Sequence, residues 1–371
     1  MKISETPGKI SRRHFLNSSA LAGAVLTTPV FIPGAIAAQT AGAQEPDAVS
    51  KPTKIYADAS ATDPQKNAQA VKPVRPGEMP CGQLGRLKLS RIIAGGNIIS
   101  GWCHARDLLF IRRLAEAYLT EQKQFDTLQL LEETGVNSIM IDLDQMPIIK
   151  NYRQQRGGGI RTVVSVRESW GEWRQPNFED LKRQIAHAID QGADTLFLHG
   201  AYCDRLVQAN KPGNIEALGR AIAYIREMGL TAGLGSHALE VPMACDKQGI
   251  EPDYYVKTFH HDRYWSATPK DRRKRFCVDG PNSLDHNEFH DNIFCIDPEE
   301  TATYMRDKKQ PWIAFKVLAA GAIPAQSGFE YGFANGADFL AVGMFDFNVV
   351  EDVKIAREVL KQVKRERPWR A

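Results

Sequence analysis

The chain has 371 residues, of which 43% are hydrophobic and 25% charged, and its 47 basic residues nearly balance 44 acidic ones. This composition is typical of a globular protein and excludes a disordered, collagenous or disulfide-framework protein. The balanced charge does not indicate a nucleic-acid-binding surface. No stretch after residue 50 approaches the roughly 18 apolar residues that a membrane-spanning helix needs.

The N-terminal segment has the pattern of an export signal. The sequence Ser11-Arg12-Arg13-His14-Phe15-Leu16 precedes a charge-free run over residues 17–44 that ends in small-residue sites. This motif resembles a twin-arginine (Tat) signal peptide, which implies export of the folded protein to the periplasm by the Tat machinery. A buried first helix is the alternative, but Pro29 and Pro33 would break it.

These patterns divide the chain into three segments. We predict a signal peptide over 1–43, a flexible leader over 44–80 and one folded domain over 81–371. The six cysteines are widely scattered with no Cys-x-x-Cys pair, which excludes a zinc ribbon or a thioredoxin motif. Because Tat export implies folding in a reducing compartment, we expect most of the cysteines to be buried free thiols. A single disulfide bridge is the alternative.

From about residue 88 the chain alternates short β-branched runs with longer amphipathic segments. The predicted strands are 91–97, 138–143, 162–166, 195–199, 231–236, 254–260, 312–317 and 339–342, and the predicted helices include 126–133, 178–191, 215–228, 298–307 and 349–362. Asp297 followed by Pro298 is typical of a helix start, and four helices end in a glycine that suits a left-handed turn: Gly135, Gly192, Gly229 and Gly336.

Eight strand–helix units predict an α/β fold of the (β/α)8 TIM-barrel type. A doubly wound open sheet is the alternative. That fold would place a G-x-G-x-x-G phosphate fingerprint after the first strand, but Gly95, Gly96 and Gly101 lack this spacing.

Three blocks of sequence resemble the aldo-keto reductase family of NADP-dependent TIM-barrel enzymes. Residues 81–91 resemble its opening hairpin and first strand, and residues 194–199 resemble the strand that ends in its catalytic histidine. Residues 336–344, followed by Glu351-Asp352-Val353, are similar to the last strand and the helix that receive the cofactor phosphate.

The resemblance implies catalytic roles for Asp142, after the second strand, and for His199. The family's tyrosine is missing, because Pro147 stands at its spacing and Tyr152 lies ten residues after the aspartate. The third strand ends in Arg167 rather than in the family's lysine. Without a tyrosine proton donor and a lysine to lower its pKa, the sequence predicts chemistry other than ordinary carbonyl reduction.

Catalytic groups of a TIM barrel lie at the carboxyl ends of its strands. The residues predicted there are, for catalysis, Asp142, His199 and Lys316; for substrate binding, Arg167, Glu168, Trp170 and Trp265; and, for a divalent metal, His199, His237, His260 and Asp144. Histidines on neighbouring strands together with a carboxylate can form a metal site with an open position. Because side chains alternate along a strand, His260 and His261 cannot both face the mouth, and we favour His260.

Two lysines of the predicted strands need a partner or a function, because a buried lysine is costly otherwise. For Lys316 the alternative to a catalytic role is a salt bridge to Asp142 or Glu168. For Lys257 a further alternative is a Schiff base with the substrate. The long connection over 261–296 is predicted to cover the mouth. Its cluster Asp285, His286, His290 and Asp291 is either a second metal site or a polar surface loop.

Three functions remain open from the sequence. The first is metal-assisted or acid–base chemistry of a lyase, isomerase or hydrolase, acting on a carbohydrate-like small molecule that stacks on the tryptophans. The second keeps NADP and oxidises or reduces a carbonyl or alcohol. The third is a barrel that binds a ligand without turnover.

Overall fold

The computed structural model describes residues 79–105, 108, 110–169, 171, 173–276 and 295–371. The predicted signal peptide, nearly all of the leader, Trp170 and the cluster at 285–291 lie outside the described residues. No helix within the described part is long and apolar enough to cross a membrane.

A short antiparallel hairpin opens the described chain and closes the bottom of the fold. It consists of β1 (Cys81–Leu84) and β2 (Leu87–Ser90), joined through Gly85 at φ +57°. Leu84 and Leu89 are fully buried in the same apolar cluster as the inward-facing side chains of the barrel strands. The hairpin is therefore the floor of the barrel, as the resemblance of residues 81–91 implied.

Eight parallel strands close into a barrel in the order β10-β3-β4-β5-β6-β7-β8-β9. They are β3 (Ile92–Gly95), β4 (Ser138–Asp142), β5 (Arg161–Val166), β6 (Thr195–Leu198), β7 (Ala232–Ser236), β8 (Tyr254–Thr258), β9 (Trp312–Phe315) and β10 (Phe339–Val342). All eight overlap the predicted strands, so the prediction of a TIM barrel is confirmed and the doubly wound sheet is wrong.

Helices surround the barrel on the outside. Within the described residues they are α1 (Gly96–Ile99), α2 (Phe110–Tyr118), α3 (Glu121–Glu133), α4 (Met146–Arg156), α5 (Phe178–Asp190), α6 (Gly200–Ala209), α7 (Asn214–Glu227), α8 (Glu240–Lys247), α9 (Pro298–Arg306), α10 (Ala325–Ala334) and α11 (Asp346–Gln362). Single 3-10 turns lie at Leu143–Gln145, Lys270–Arg272 and Ala319–Gly321.

The predicted helix signals operate as expected. The Asp297 carboxylate accepts a hydrogen bond from the Glu300 N–H at the start of α9, and Gly135, Gly192 and Gly336 each have a positive φ. The Cβ atom that other residues carry is strained in that conformation, so glycine ends the helix at low cost.

The core has two layers. An inner cluster fills the barrel and includes Val163, Phe197, Val256 and Phe339, while a larger cluster packs the outer faces of the strands against the helices. Five of the six cysteines lie in the described residues, where they are free thiols. Cys277 lies outside the described residues.

Candidate active site at the carboxyl ends of the barrel strands

His237, directly after β7, is held by a buried carboxylate. Its Nδ1 atom lies 2.7 Å from Oδ2 of Asp204, a fully buried residue of α6, and its backbone N–H also donates to Asp204. Ala238 N–H donates to the same carboxylate at 3.0 Å. Because a carboxylate only accepts, the proton of the neutral ring lies on Nδ1 and the lone pair lies on Nε2.

The His237 ring is also fixed by its packing. A Cβ atom on Gly200 would come within 3.1 Å of Cε1 and 3.2 Å of Nδ1, so this glycine gives the ring its place. Phe315 at the end of β9 contacts the ring edge to face, with centroids 5.3 Å apart. Burial lowers the pKa of His237 against the opposing effect of Asp204, and Lys316 and Lys257 lower it further.

His199 directly follows β6, the strand that pairs with β7. Its backbone N–H donates to Val166 O at 2.9 Å, and its ring lies 6.1 Å from that of Trp173. Burial, with the positive charge of Arg167, lowers the pKa of His199 to about 4, although Asp142 opposes the change. The buried Nδ1 atom has no hydrogen-bond partner among the described residues. His199 is therefore neutral at pH 7.

Asp142 ends β4 and accepts a hydrogen bond from the hydroxyl of the buried Ser165, on the neighbouring β5. The next carboxylate along the chain, Asp144, is 52% exposed and pairs with Nη2 of Arg167 at 2.9 Å. The structure therefore brings Asp142 and His199 together, whereas Asp144 is engaged by Arg167 at the rim.

Glu168, predicted to bind substrate, instead ties down the segment after β5. Its Oε1 atom accepts hydrogen bonds from the backbone N–H of Asn177 and from the Tyr202 hydroxyl, both at 2.6 Å. The side chain is buried. Burial and this carboxylate raise the pKa of Tyr202. These contacts favour a structural role for Glu168.

Lys316, directly after β9, points toward the segment that follows β3. Its Nζ atom lies 3.3 Å from Nε2 of His104, and the positive charge of Lys316 is the main reason that the pKa of His104 falls to about 4. Lys316 adopts a left-handed φ of +59°, and Ala319 and Ala320 follow with +47° and +52°. Left-handed non-glycine residues are costly, and they persist mostly at functional sites.

The two adjacent histidines after β8 face opposite ways. His260 Nδ1 forms a hydrogen bond with the carbonyl of His261 at 2.8 Å. Burial lowers the pKa of His260 to about 3, and the charges of His261, Lys257 and Lys316 also lower it. His261 Nε2 bonds to Ser327 of α10 at 2.9 Å, on the outside of the barrel. His260 is therefore the member of the pair on the side of Lys316.

The predicted tryptophans are placed differently from one another. Trp265 is 80% exposed, and Trp170 lies outside the described residues. Trp173 is buried, donates its indole N–H to Ser169 O at 2.9 Å and packs against Tyr202. Its ring is thus part of the wall behind His199.

The predicted metal ligands do not form a cluster in the described part of the chain. No three histidine, cysteine, aspartate or glutamate side chains approach each other closely enough there to hold a metal ion. His237 is engaged by Asp204 and Asp144 by Arg167. We therefore assign no chemical step to a metal.

The residues at the start of α11 do not fit a cofactor phosphate, which the resemblance placed there. The Asp346 carboxylate already occupies this helix N-terminus, where it accepts hydrogen bonds from the Tyr118 hydroxyl at 2.6 Å and from Lys123 Nζ at 2.8 Å. Lys123, Tyr118 and the Phe347 N–H together lower the pKa of Asp346 despite its burial. An anionic phosphate would meet a like charge at this position.

Tyr152 cannot supply the missing tyrosine either. It is a buried residue of α4 whose hydroxyl donates to Glu132 of α3 at 2.5 Å, between two outer helices. Tyr152 therefore cannot donate a proton at the barrel mouth.

Sequence reasoning missed two residues of the mouth. Asp204 lies inside a helix, and nothing in its local pattern shows that the helix packs it beneath His237. His104, which is not among the predicted site residues, lies beside Lys316. The one available signal was its position after the first strand, at the same end of the barrel as the other candidates.

Comparisons with known proteins support the fold. No protein-family model matches the sequence. No curated protein matches it either. Two structures from Pseudomonas aeruginosa, each described as an aldo-keto reductase, are 14% identical to this chain with a TM-score of 0.51. The matches cover 77% and 79% of this chain and 97% and 99% of theirs. At this identity the similarity shows an aldo-keto-reductase-like TIM barrel and nothing about the reaction.

Proposed function

We propose that the barrel mouth catalyses proton transfer at a carbon next to a carbonyl group, as an isomerase or a lyase does. One observation carries this proposal. The buried Asp204 accepts the Nδ1–H of His237 and two backbone N–H groups, so it holds the imidazole in one tautomer and orientation. A carboxylate–histidine pair of this kind is a common general base.

The base would act through Nε2 of His237. With the proton on Nδ1, Nε2 has the lone pair that accepts a substrate proton. The lowered pKa of His237 keeps the ring neutral and ready to accept at pH 7. The imidazolium that forms is stabilised by Asp204, which lies 2.7 Å from Nδ1.

Lys316 would stabilise the negative charge that develops on the substrate oxygen. Its Nζ atom lies beside His104, in the segment that follows β3, and its backbone is in the left-handed region. His104 stays neutral because its pKa is about 4. A fixed cation near a developing enolate or oxyanion contributes strongly to catalysis in a site with little water.

We propose a small hydroxylated, carbohydrate-like substrate. Asp142 with Ser165 and the neutral His199 offer acceptors and donors to hydroxyl groups on the side of the mouth facing β4, β5 and β6. Lys316 and Arg167 would suit a carboxylate on the same molecule. Aldonic and uronic acids are therefore the first compounds to test.

The test is solvent hydrogen exchange. Aldonic and uronic acids are incubated with the enzyme in D2O, and incorporation of deuterium at the carbon next to the carbonyl or carboxylate is followed by NMR. We expect incorporation by the wild type and a loss on the order of 10²- to 10⁴-fold in H237Q. H187Q, which changes an exposed histidine of α5, is the matched control and should behave as the wild type.

Two outcomes would contradict the proposal. In one, H237Q exchanges deuterium as fast as the wild type. In the other, turnover of the same compounds depends on added NADPH, which would favour the oxidoreductase hypothesis.

We also propose export by the Tat pathway, on the strength of the motif around Arg12 and Arg13. Mass spectrometry of the periplasmic fraction tests it. We expect a chain that lacks about the first 43 residues, and replacement of both arginines by lysine should retain the full-length protein in the cytoplasm. Processing that is unaffected by the two lysines would refute this assignment.

A further inference from the structure

Lys257 is a buried lysine that the proposed reaction does not use. It belongs to β8 and is 2% exposed. Its neighbour Val256 packs inside the barrel, whereas Tyr255 packs in the outer layer. Because side chains alternate, Lys257 leaves the strand on the outer face and not toward the mouth.

The ammonium group of Lys257 reaches back to the end of the neighbouring strand. Its Nζ atom donates to the carbonyl of His237 at 2.7 Å and to that of Thr258 at 3.0 Å. Hydrogen bonds from a charged donor are shorter and stronger than neutral ones. The main chain of His237 is therefore bound by the Lys257 amine from the outer face of β8. Burial lowers the pKa of this amine, and Asp204 and Glu240 oppose the change.

Asp204 binds other polar atoms of the same residue. It accepts the backbone N–H and the ring Nδ1–H of His237, and Lys257 takes the carbonyl. The backbone N–H, the carbonyl and the ring Nδ1 of His237 are thus each engaged by a buried side chain of another element, α6 or β8. An imidazole ring held in this way keeps its position and orientation when it gains a proton during catalysis.

We propose that Lys257 is a positioning residue, which fixes the orientation of His237 by binding its carbonyl. The catalytic part of this inference rests on the proposed role of His237 as the base. The structural part does not, because the hydrogen bond and the charge act on His237 whatever the reaction is. A Schiff base on Lys257 is not needed in this arrangement, since its amine is turned toward two carbonyls.

The charge effect has a defined direction. His237 is faced by Asp204 from α6, by Lys257 from β8, and by His199, Lys316 and His104 at the other strand ends. Asp204 raises the pKa of His237, and the two lysines lower it. Replacement of Lys257 removes one of the two lysine charges that lower the pKa of His237, so we expect this pKa to rise.

The experiment compares K257M, K257R and the control K247M, which removes an exposed lysine at the end of α8. The pKa of His237 is measured by NMR titration of its ring resonances, assigned with H237Q. We expect K257M to move the midpoint up by about half a pH unit or more. K257R keeps the charge and K247M leaves the site intact, so both should titrate near the wild type.

Deuterium exchange gives the second readout. We expect K257M to lower kcat by about 10-fold or more with KM within about 2-fold, because the base is misplaced and substrate contacts are not. K257R should recover part of kcat. A merely structural lysine would lower the amount of folded protein without moving the His237 titration.

The inference is overturned if folded K257M keeps the wild-type kcat and also titrates His237 at the wild-type midpoint. If K257M does not fold, K257Q replaces it and the same two measurements decide. Failure of the general-base proposal is distinguishable, because H237Q would then keep its exchange rate while the effect of Lys257 on the His237 titration could still be present.

Discussion

Acidification should destabilise this protein through its buried neutral histidines, and His260 shows how much. The ring is 1% exposed, and burial together with neighbouring positive charges lowers its pKa from 6.5 to about 3. The unfolded chain therefore binds the proton first as the pH falls. The contribution of His260 to stability is complete above about pH 6.5 and is lost progressively between about pH 6.5 and pH 3.

The size of the effect follows from these two values. Protonation linkage predicts a slope of about 1.4 kcal/mol per pH unit in that window and a loss of roughly 3 kcal/mol at pH 4 from His260 alone. A domain with about 5–15 kcal/mol of stability would lose a substantial part of it. His199, with a pKa of about 4, acts in the same direction.

Urea unfolding at several pH values between 7 and 4.5 measures the effect. H260F keeps the ring shape and removes the titration, so we expect its free energy of unfolding to fall less steeply with acid than that of the wild type. H187Q, altered on the surface, should follow the wild type. Parallel lines for H260F and the wild type would refute the reasoning, whatever the difference between them at pH 7.

Three further predictions concern the site and the scaffold. D204N should lower kcat on the order of 10²- to 10⁴-fold at similar KM, because the amide no longer holds His237 in the productive tautomer; steady-state exchange rates decide, and an unchanged kcat would contradict it. G200A should lower kcat about 10-fold with little change in Tm, since its Cβ atom would press on the His237 ring at 3.1 Å; a wild-type rate would show that the ring has room. R367M should cost about 3–5 kcal/mol, because it strips the fully buried Asp338 of a partner at 2.6 Å; thermal unfolding measures this, and an unchanged Tm would contradict it.

The barrel was predictable because each of its signals is local. Short β-branched runs alternate with amphipathic stretches, and a glycine such as Gly135 or Gly336 marks the end of a helix with a left-handed turn. Asp297 and Pro298 marked the start of α9 in the same way. These features depend on neighbours within a few residues, so one sequence is enough to find them.

The candidate site was predictable only in part. The rule that catalytic groups lie at strand ends located His199, His237 and Lys316 at one end of the barrel. The alternation expected of an extended strand also separated His260 from His261, which follow β8, and their contacts place them on opposite sides. The same rule could not show that the Glu168 carboxylate accepts hydrogen bonds from Asn177 and Tyr202.

The sequence by itself determined the number, the chain order and the approximate positions of the barrel strands, since these depend on periodicity and on turn residues close together in the chain. Only the tertiary structure decided which side chains meet. Asp204 and His237 are 33 residues apart, and their hydrogen bond exists because α6 packs beneath the end of β7. Lys257 of β8 reaches the carbonyl of His237 because β8 pairs with β7 in the barrel. The chemistry of the mouth therefore follows from packing between distant segments, which no local pattern encodes.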